Sequence, residues 1–245
     1  MKNFQTLNKV LREQLSLESD FSNQEPYDFG RAMATVENSV VVVSDLSQNS
    51  CRIFCGRFGR YFGVENESVE PSIWEKGILA RMSECDQDVK FLTELRFFHY
   101  LKKLPKKQRT TRYLATKLRM KSLGGELIDV LHRMYYRYGG DETSVRFAIC
   151  VYGPLTFDFV GKSVVVDSLT GKTEVLSDKA DKAILGRRET QIIALVDRGC
   201  TSAEIAELLS ISKHTVSRHR QEILAKLQVK NSIEACRLAK ALNII

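Results

Sequence analysis

The first half of the chain changes from one hydrophobic period to another. Val40 to Leu46 and Cys51 to Gly56 are runs of strand-forming residues, and the polar segment SDLSQN supplies turn residues between them. This pattern predicts a two-stranded hairpin. Apolar residues then recur at spacings of three and four, which predicts helices as far as Pro105. The helical positions are Ile73, Trp74, Ile78, Leu79, Met82, Phe91, Leu95, Phe98 and Leu101.

Strand-like runs return after this helical stretch. Three of them are separated by loops that contain glycine pairs, which permit tight reversals, and they predict three adjacent antiparallel strands. A further short hairpin is predicted before a polar linker at residues 177–184. The three long runs are Tyr113 to Met120, Leu127 to Tyr138 and Ser144 to Leu155, and the short hairpin joins Val164–Val166 to Thr173–Leu176.

This order of elements resembles a PAS-type sensory domain. The resemblance covers roughly residues 30 to 155 and implies an α+β domain in which a five-stranded antiparallel sheet has helices on one face. We place the bounds of this sensory or dimerisation domain at residues 26–176. In that family the space between sheet and helices binds a small ligand or cofactor in some members and is filled by side chains in others. The sequence does not decide between these two cases, so the cofactor is unknown and a small-molecule ligand in the N-terminal domain stays open.

Residues 1–25 predict a separate amphipathic helix. Phe4, Leu7, Leu11 and Leu15 recur at helical spacing and form one apolar stripe, which requires a partner. Two partners fit the pattern equally well. The helix can pack on its own domain, or it can pair with the same helix of a second protomer.

Residues 185–245 predict four helices with marked ends. The first ends at Gly199, because glycine adopts the left-handed conformation after a helix most easily. Thr201 and Glu204 have the spacing of a capping box at the start of the second helix. Ser210 and Ile211 then make a turn.

The third of these helices runs from Lys213 to about Leu227 and has two different faces. Ser212 caps its start, and a further capping box at Asn231 and Glu234 begins the fourth helix. Because one face packs and the other is free to read a groove, the arrangement has the geometry of a helix-turn-helix. The packing face consists of Val216, Ile223, Leu224 and Leu227, and the free face of His214, Ser217, Arg218 and Gln221.

The segment RETQIIALVDRGCTSAEIAELLSISKHTVSRHRQEILAKLQVKN closely resembles the LuxR/GerE-type DNA-binding domain. The resemblance implies an all-α, four-helix domain whose third helix reads double-stranded DNA and whose fourth helix often mediates dimerisation. It leaves three roles open for His219: packing, a phosphate bond or base reading. The sequence departs from the family pattern at Gly186 and Ala203. The resemblance implies base contacts from Ser217, Arg218 and Gln221, phosphate contacts from Lys213, His214 and Thr215, and a DNA contact from Arg220.

Charge favours an anionic partner. The chain carries a formal net charge of +7, which suits nucleic acid or an acidic membrane surface. From residue 177 onward, the chain has twelve basic and eight acidic residues, so the C-terminal part carries an excess of positive charge. A domain that binds DNA needs such an excess. The densest basic run, Lys102 to Lys121, contains no acid. We interpret this run as a solvated loop and strand face, since no aromatic stacking pattern runs through it.

The sequence contains neither a run of about 20 apolar residues, which a membrane span needs, nor the apolar core of a signal peptide. The six cysteines are scattered without a CxxC pair. We therefore expect a cytoplasmic chain with reduced thiols, no metal site and no membrane partner.

No enzyme motif is visible, and His99 and His132 are isolated, as expected of hydrogen-bonded structural histidines. We predict a non-enzymatic, sequence-specific transcription regulator of bacterial type. It would be a homodimer whose N-terminal domain senses a signal or mediates dimerisation, with RNA polymerase as a further partner. The patterns of a receiver domain and of an acyl-homoserine-lactone sensor are not found. The alternative is a helix-turn-helix module that acts mainly through protein partners.

Overall fold

The structure is a computed structural model that describes residues 24–139, 144–176, 184–227, 229, 231–242 and 244–245. The chain divides into an N-terminal unit that ends at residue 176 and a C-terminal unit that begins at residue 177. The amphipathic helix predicted at residues 1–25 and the linker at 177–184 lie almost entirely outside the described residues.

The described part of the N-terminal unit contains one antiparallel sheet. Its strands are β1 (Val40–Asp45), β2 (Ser50–Cys55), β3 (Ser68–Glu70), β4 (Arg112–Lys121), β5 (Leu127–Tyr138), β6 (Val145–Pro154), β7 (Ser163–Asp167) and β8 (Thr173–Val175). Their spatial order is β3-β2-β1-β6-β5-β4-β7-β8. The predicted hairpin and the three long strands are confirmed. The predicted number of five strands is wrong, because β3 adds to one end and the late hairpin pairs with β4 at the other.

Helices cover both faces of this sheet. They are α1 (Glu25–Val36), α2 (Arg57–Arg60), α3 (Lys76–Leu79), α4 (Glu84–Lys103) and α5 (Lys106–Arg109). Tyr27 and Ala34 of α1 pack on Val41 and Val43, whereas α4 lies over the alternate residues of the same strands. The prediction of helices on one face is therefore wrong, since the sequence reading missed α1. Gly30 permits its close approach, because a Cβ there would lie 2.8 Å from Val43.

The long helix α4 follows the predicted pattern. Ser83 caps its start by accepting a hydrogen bond from the Asp86 amide, and the helix ends two residues before Pro105. Its apolar residues are buried, as the spacing of three and four predicted. These buried residues include Phe91, Leu95, Phe98 and Leu101.

The described C-terminal unit consists of four helices, as predicted. They are α6 (Arg187–Asp197), α7 (Ser202–Leu208), α8 (Lys213–Leu227) and α9 (Ser232–Ala241). Their common core keeps the three-dimensional arrangement of the helices by excluding water from one face of each. The core includes Ile192, Ile193, Ile205, Val216, Ile223, Leu227 and Leu238.

Candidate nucleic-acid interface

The start of α6 is held by ionic contacts that compensate for the missing side chain of Gly186. The Glu189 carboxylate accepts a hydrogen bond from the Gly186 amide at 2.6 Å, and the Lys226 ammonium of α8 lies 2.7 Å from the same carboxylate. Arg188 donates to the Leu209 carbonyl at 2.7 Å. These contacts tie α6 to α8 and to the turn that precedes α8.

The join between α6 and α7 has the geometry that the sequence predicted. Gly199 has a φ of +88°, and no atom lies within 4 Å of the position of an added Cβ. The backbone angle, rather than crowding, therefore favours glycine there. Thr201 and Glu204 form the predicted capping box: the Glu204 amide donates to Thr201 Oγ1 at 3.3 Å, and the Thr201 amide donates to the Glu204 carboxylate at 2.7 Å.

The turn between α7 and α8 is built by two residues. Ser210 adopts the left-handed conformation with a φ of +51°, and the Ile211 amide donates to the Ala206 carbonyl at 2.9 Å. Ser212 then caps α8 as predicted, since its Oγ accepts a hydrogen bond from the Thr215 amide at 3.0 Å. The turn thus fixes where α8 begins.

The polar face of α8 is exposed along its first turns. Val216, Ile223 and Leu227 bury the opposite side of the helix. Arg218 is 63% exposed, and its guanidinium lies 3.5 Å from the carboxylate of Glu222 on the same helix. The exposed predicted DNA-binding residues are Lys213, His214, Ser217, Arg218 and Gln221.

Two other predicted DNA-binding residues have partners within the unit. Thr215 is partly buried, and its hydroxyl lies 2.9 Å from that of Ser212 in the cap. Arg220 donates to Ser202 at the start of α7 and to Ser232 at the start of α9, at 2.8 and 2.9 Å. These contacts give Arg220 a role in positioning three helices, which sequence spacing did not reveal.

His219 also has a partner within α8. Its Nδ1 lies 3.0 Å from the Glu222 carboxylate, and its side chain is largely buried. This arrangement agrees with the packing role that the sequence resemblance implied as one alternative.

A second group of polar side chains lies inside the N-terminal unit, between the sheet and α4. The Lys90 ammonium is 2.7 Å from Glu94 and 2.9 Å from Glu75, and all three side chains are buried. Tyr152 donates a hydrogen bond to Glu75. Burial and the nearby negative charge of Glu75 raise the pKa of Glu94 to about 7. The Lys90 ammonium lowers this pKa, but by less than the other two effects raise it.

His132 of β5 faces the same cluster. Its side chain is 0% exposed, and neither ring nitrogen has a hydrogen-bond partner within the described part of the chain. Burial lowers the pKa of His132 well below its ordinary value, so the ring is neutral. The sequence expectation of a hydrogen-bonded histidine is therefore wrong at this position. His99 Nε2 likewise lacks a partner among the described residues.

A small cavity opens beside this cluster. It has room for about one water molecule. Its lining is mixed and comes from both layers of the unit. The sequence alone does not predict that these residues meet, because they lie on separate elements. The lining consists of Ser44, Leu46, Ile73, Trp74, Glu75, Lys90, Glu94, Met134, Ala148 and Cys150.

Residues 183–239 match the family of bacterial regulatory proteins known as the luxR family. The match covers α6, α7, α8 and most of α9. It confirms, for the C-terminal unit, the resemblance that the sequence motif indicated. Within the described ranges, no helix is long and apolar enough to cross a membrane.

Curated relatives share the same part of the chain. The transcriptional activator protein EsaR of Pantoea stewartii subsp. stewartii is 36% identical over 74 residues, which are 30% of this chain and 30% of EsaR. The uncharacterized response regulatory protein YgeK of Escherichia coli (strain K12) is 38% identical over 60 residues, which are 24% of this chain and 41% of that protein. The chain thus spans less than half the length of these two relatives.

A likeness to solved structures extends over both units but is weak. The Vibrio cholerae VqmA dimer in the absence of target DNA aligns with a TM-score of 0.30 at 12% identity, over 90% of this chain and 87% of that chain. A similarity at this level transfers no property of that protein to this one.

Proposed function

We propose that this chain is a sequence-specific DNA-binding transcription regulator of bacterial type and acts as a homodimer. The observation that carries the proposal is the row of exposed polar side chains on α8, held outward by a capped helix-turn-helix. In such a unit the second helix of the motif enters the major groove, with its first residues nearest the base edges.

The residues of this row suit different parts of DNA. Arg218 has the planar fork that binds guanine in two places, and Gln221 has the amide that pairs with adenine. Lys213 and His214 lie at the start of the helix, where cations and amides meet phosphate. The weak contact between Arg218 and Glu222 costs little to break, because both side chains are exposed.

Thr215 and Arg220 fit this proposal as positioning residues. Thr215 joins the Ser212 cap, so its contribution to a phosphate contact would come through the position of the helix start. Arg220 joins the starts of α7 and α9 to α8. Its loss would change the angle of the recognition helix as well as remove a positive charge.

The N-terminal unit supplies, in this proposal, a PAS-like domain that senses a signal or mediates dimerisation. Support comes from the neighbouring strands β2-β1-β6-β5-β4, which carry α4 and a small cavity on one face. The cavity has room for about one water molecule, so an organic ligand would require side chains to move. RNA polymerase is a further proposed partner of a regulator of this class.

A module that works mainly through protein partners is the second candidate. Among the described residues of the C-terminal unit, two large apolar side chains are exposed, Leu208 at 63% and Ile233 at 67%. Exposed apolar side chains are candidates for contact with a second protomer or another protein. Ile233 lies at the start of α9, so the same observation fits a dimer.

Selection of bound sequences from a random DNA pool tests the proposal. We expect the full chain to enrich a two-fold symmetric motif, and Arg218→Ala to weaken binding about 10- to 100-fold with relaxed sequence preference. Gln221→Ala should relax a different base position. Arg60→Ala and Gln48→Ala, both exposed in the N-terminal unit, serve as matched controls that leave the motif unchanged.

Two results would contradict the proposal. No enriched motif, with binding insensitive to salt, would favour the protein-binding module, since phosphate contacts must weaken as salt rises. One chain per site in analytical ultracentrifugation, free and on DNA, would exclude the homodimer.

A further inference from the structure

Three elements of the N-terminal unit bring metal-binding side chains to one point. Glu94 lies on α4, His132 on β5 and Cys150 on β6, and one ligand atom from each lies within 4.8 Å of the other two. All three side chains are buried. We propose that Glu94, His132 and Cys150 bind a divalent transition-metal ion such as Zn²⁺. This goes beyond the proposed DNA-binding function and does not depend on it.

The first support is the state of His132. A fully buried imidazole without a hydrogen-bond partner is costly, because it has left water without compensation. Its Nε2 lies 3.5 Å from Glu94 Oε1, so the ring points at a carboxylate that it does not bind directly. A metal ion between them would use the nitrogen lone pair and remove this cost.

The second support is the charge of the cluster. With both carboxyl groups ionised, as Glu94 must be to bind a metal, Glu75 and Glu94 carry two negative charges against the single positive charge of Lys90. Cys150 must lose its proton to solvent to coordinate through sulfur, which adds one negative charge. A divalent ion then balances Glu94 and Cys150, while Lys90 balances Glu75. The site would be neutral, as a buried site should be.

The third support is size. The cavity beside Glu94 and Cys150 has room for about one water molecule, which suits an ion and excludes an organic molecule without rearrangement. Ligands at zinc lie about 3.5 Å apart in a tetrahedral site. His132 Nε2 and Glu94 Oε1 already have this spacing, so the approach that is still needed, at most about 1 Å, falls on Cys150. That shift is within the reach of side-chain rotation.

The surrounding hydrogen bonds suit a metal ligand. The Lys90 ammonium contacts Glu94 at 2.7 Å, and carboxylate ligands are usually oriented by such outer contacts. One carboxylate, one imidazole and one thiolate form a mixed set that suits ions of intermediate softness such as Zn²⁺ and Co²⁺.

A second group of potential ligands, Glu189, His219 and Glu222, lies in the C-terminal unit. Its Glu189 carboxylate is already used by the Gly186 amide and by Lys226. This group lacks a thiol, so Co²⁺ bound there would show no sulfur-to-cobalt charge-transfer band. It therefore provides the control for the proposed site.

The test is titration of the metal-free full chain with Co²⁺. We expect a sulfur-to-cobalt charge-transfer band in the near ultraviolet that saturates at one equivalent. The band should be lost in Cys150→Ser and in His132→Gln. It should persist in Cys51→Ser, a buried thiol outside the three ligands, and in His219→Gln of the second group.

X-ray absorption of the Zn²⁺-loaded wild type needs no variant, so it decides the case even where a substitution prevents folding. One sulfur in the first coordination shell is expected. The absence of a band in the wild type, a band that survives Cys150→Ser, or a zinc shell without sulfur would overturn the proposal. Since the titration contains no DNA, its failure leaves the DNA-binding proposal standing, and Arg218→Ala should leave the band unchanged.

Discussion

The capping pairs of the C-terminal unit and the buried ionic group of the N-terminal unit use polar side chains in different ways. In the C-terminal unit, the exposed capping pairs join residues three positions apart, such as Thr201 with Glu204. In the N-terminal unit, the buried Glu75 pairs with Lys90 of α4 and with Tyr152 of β6, which lies 77 residues away. Local pairs at a surface organise single helices, whereas the buried group joins separate layers of one fold.

This difference has an energetic consequence. Exposed ion pairs contribute about 0 to 1 kcal/mol, because water screens them. Removal of one partner from a buried ion pair costs about 3 to 5 kcal/mol, because the remaining charge stays buried. Substitutions on the exposed face of α8 should therefore change DNA binding with the fold intact. Substitutions in the buried group should destabilise the N-terminal unit.

The largest effect is expected from Lys90→Met. This change leaves Glu75 and Glu94 buried without their ammonium, so the free energy of unfolding of the N-terminal unit should fall by about 3 to 5 kcal/mol. Urea unfolding followed by fluorescence measures it selectively. The reporter is Trp74, the single tryptophan of the chain, whose ring lies 5.9 Å from the ammonium.

The matched control is Lys172→Met, which removes an exposed lysine from the same unit and should change the unfolding free energy by less than about 0.5 kcal/mol. If Lys90→Met lowered the free energy of unfolding by less than about 1 kcal/mol, the negative charges of the two carboxylates would have to be compensated by other groups. The contrast between the two units would then disappear.

The same contrast explains which parts could be predicted from the sequence. Gly199 and the Thr201–Glu204 box are local signals, and the structure confirms the helix boundaries that they mark. The runs that became β5 and β6 were also legible from their alternation and turns. Helix α1 was missed because its buried face consists of Pro26, Tyr27, Gly30 and Ala34, and none of these is a large aliphatic residue that would mark a helical stripe.

The buried cluster could not be predicted in the same way. Glu75, Glu94, His132 and Cys150 are far apart in the sequence and meet because the strand order places β6 beside β5 and α4 above both. No local spacing contains that information. Likewise, the partners of Arg220 follow from the packing of three helices, so family resemblance alone assigned this residue to DNA.

An intermediate effect is expected from the buried His99 of α4. Burial, with Lys102 and Lys103 nearby, lowers the pKa of His99 to about 4 from its ordinary 6.5. Between these two values the unfolded chain binds a proton that the folded chain does not. Protonation of His99 therefore does not affect the free energy of unfolding above pH 6.5. As the pH falls towards 4, the free energy of unfolding decreases, by about 2 to 3 kcal/mol at pH 4.5.

Urea unfolding of the wild type and His99→Leu at pH 7 and 4.5 measures this contribution. The variant should lose less stability between the two pH values, since it has no side chain to protonate there. His214→Leu, at an exposed position of α8, should keep the full pH dependence of the N-terminal unit. Equal pH dependence in wild type and His99→Leu would mean that the folded state accepts this proton without cost.

The smallest effect is expected from Thr201→Ala in the C-terminal unit. The substitution removes the hydroxyl that accepts a hydrogen bond from the Glu204 amide, so α7 should lose about 1 kcal/mol of local stability. Amide hydrogen exchange in α7 should become about five-fold faster, while the Trp74 unfolding curve stays unchanged. Ser217→Ala, on the exposed face of α8, should leave both measurements as they are. If Thr201→Ala also lowered the free energy of unfolding measured by Trp74 fluorescence, the two units would unfold together. The local capping contacts and the buried ionic group would then contribute to one common unfolding transition.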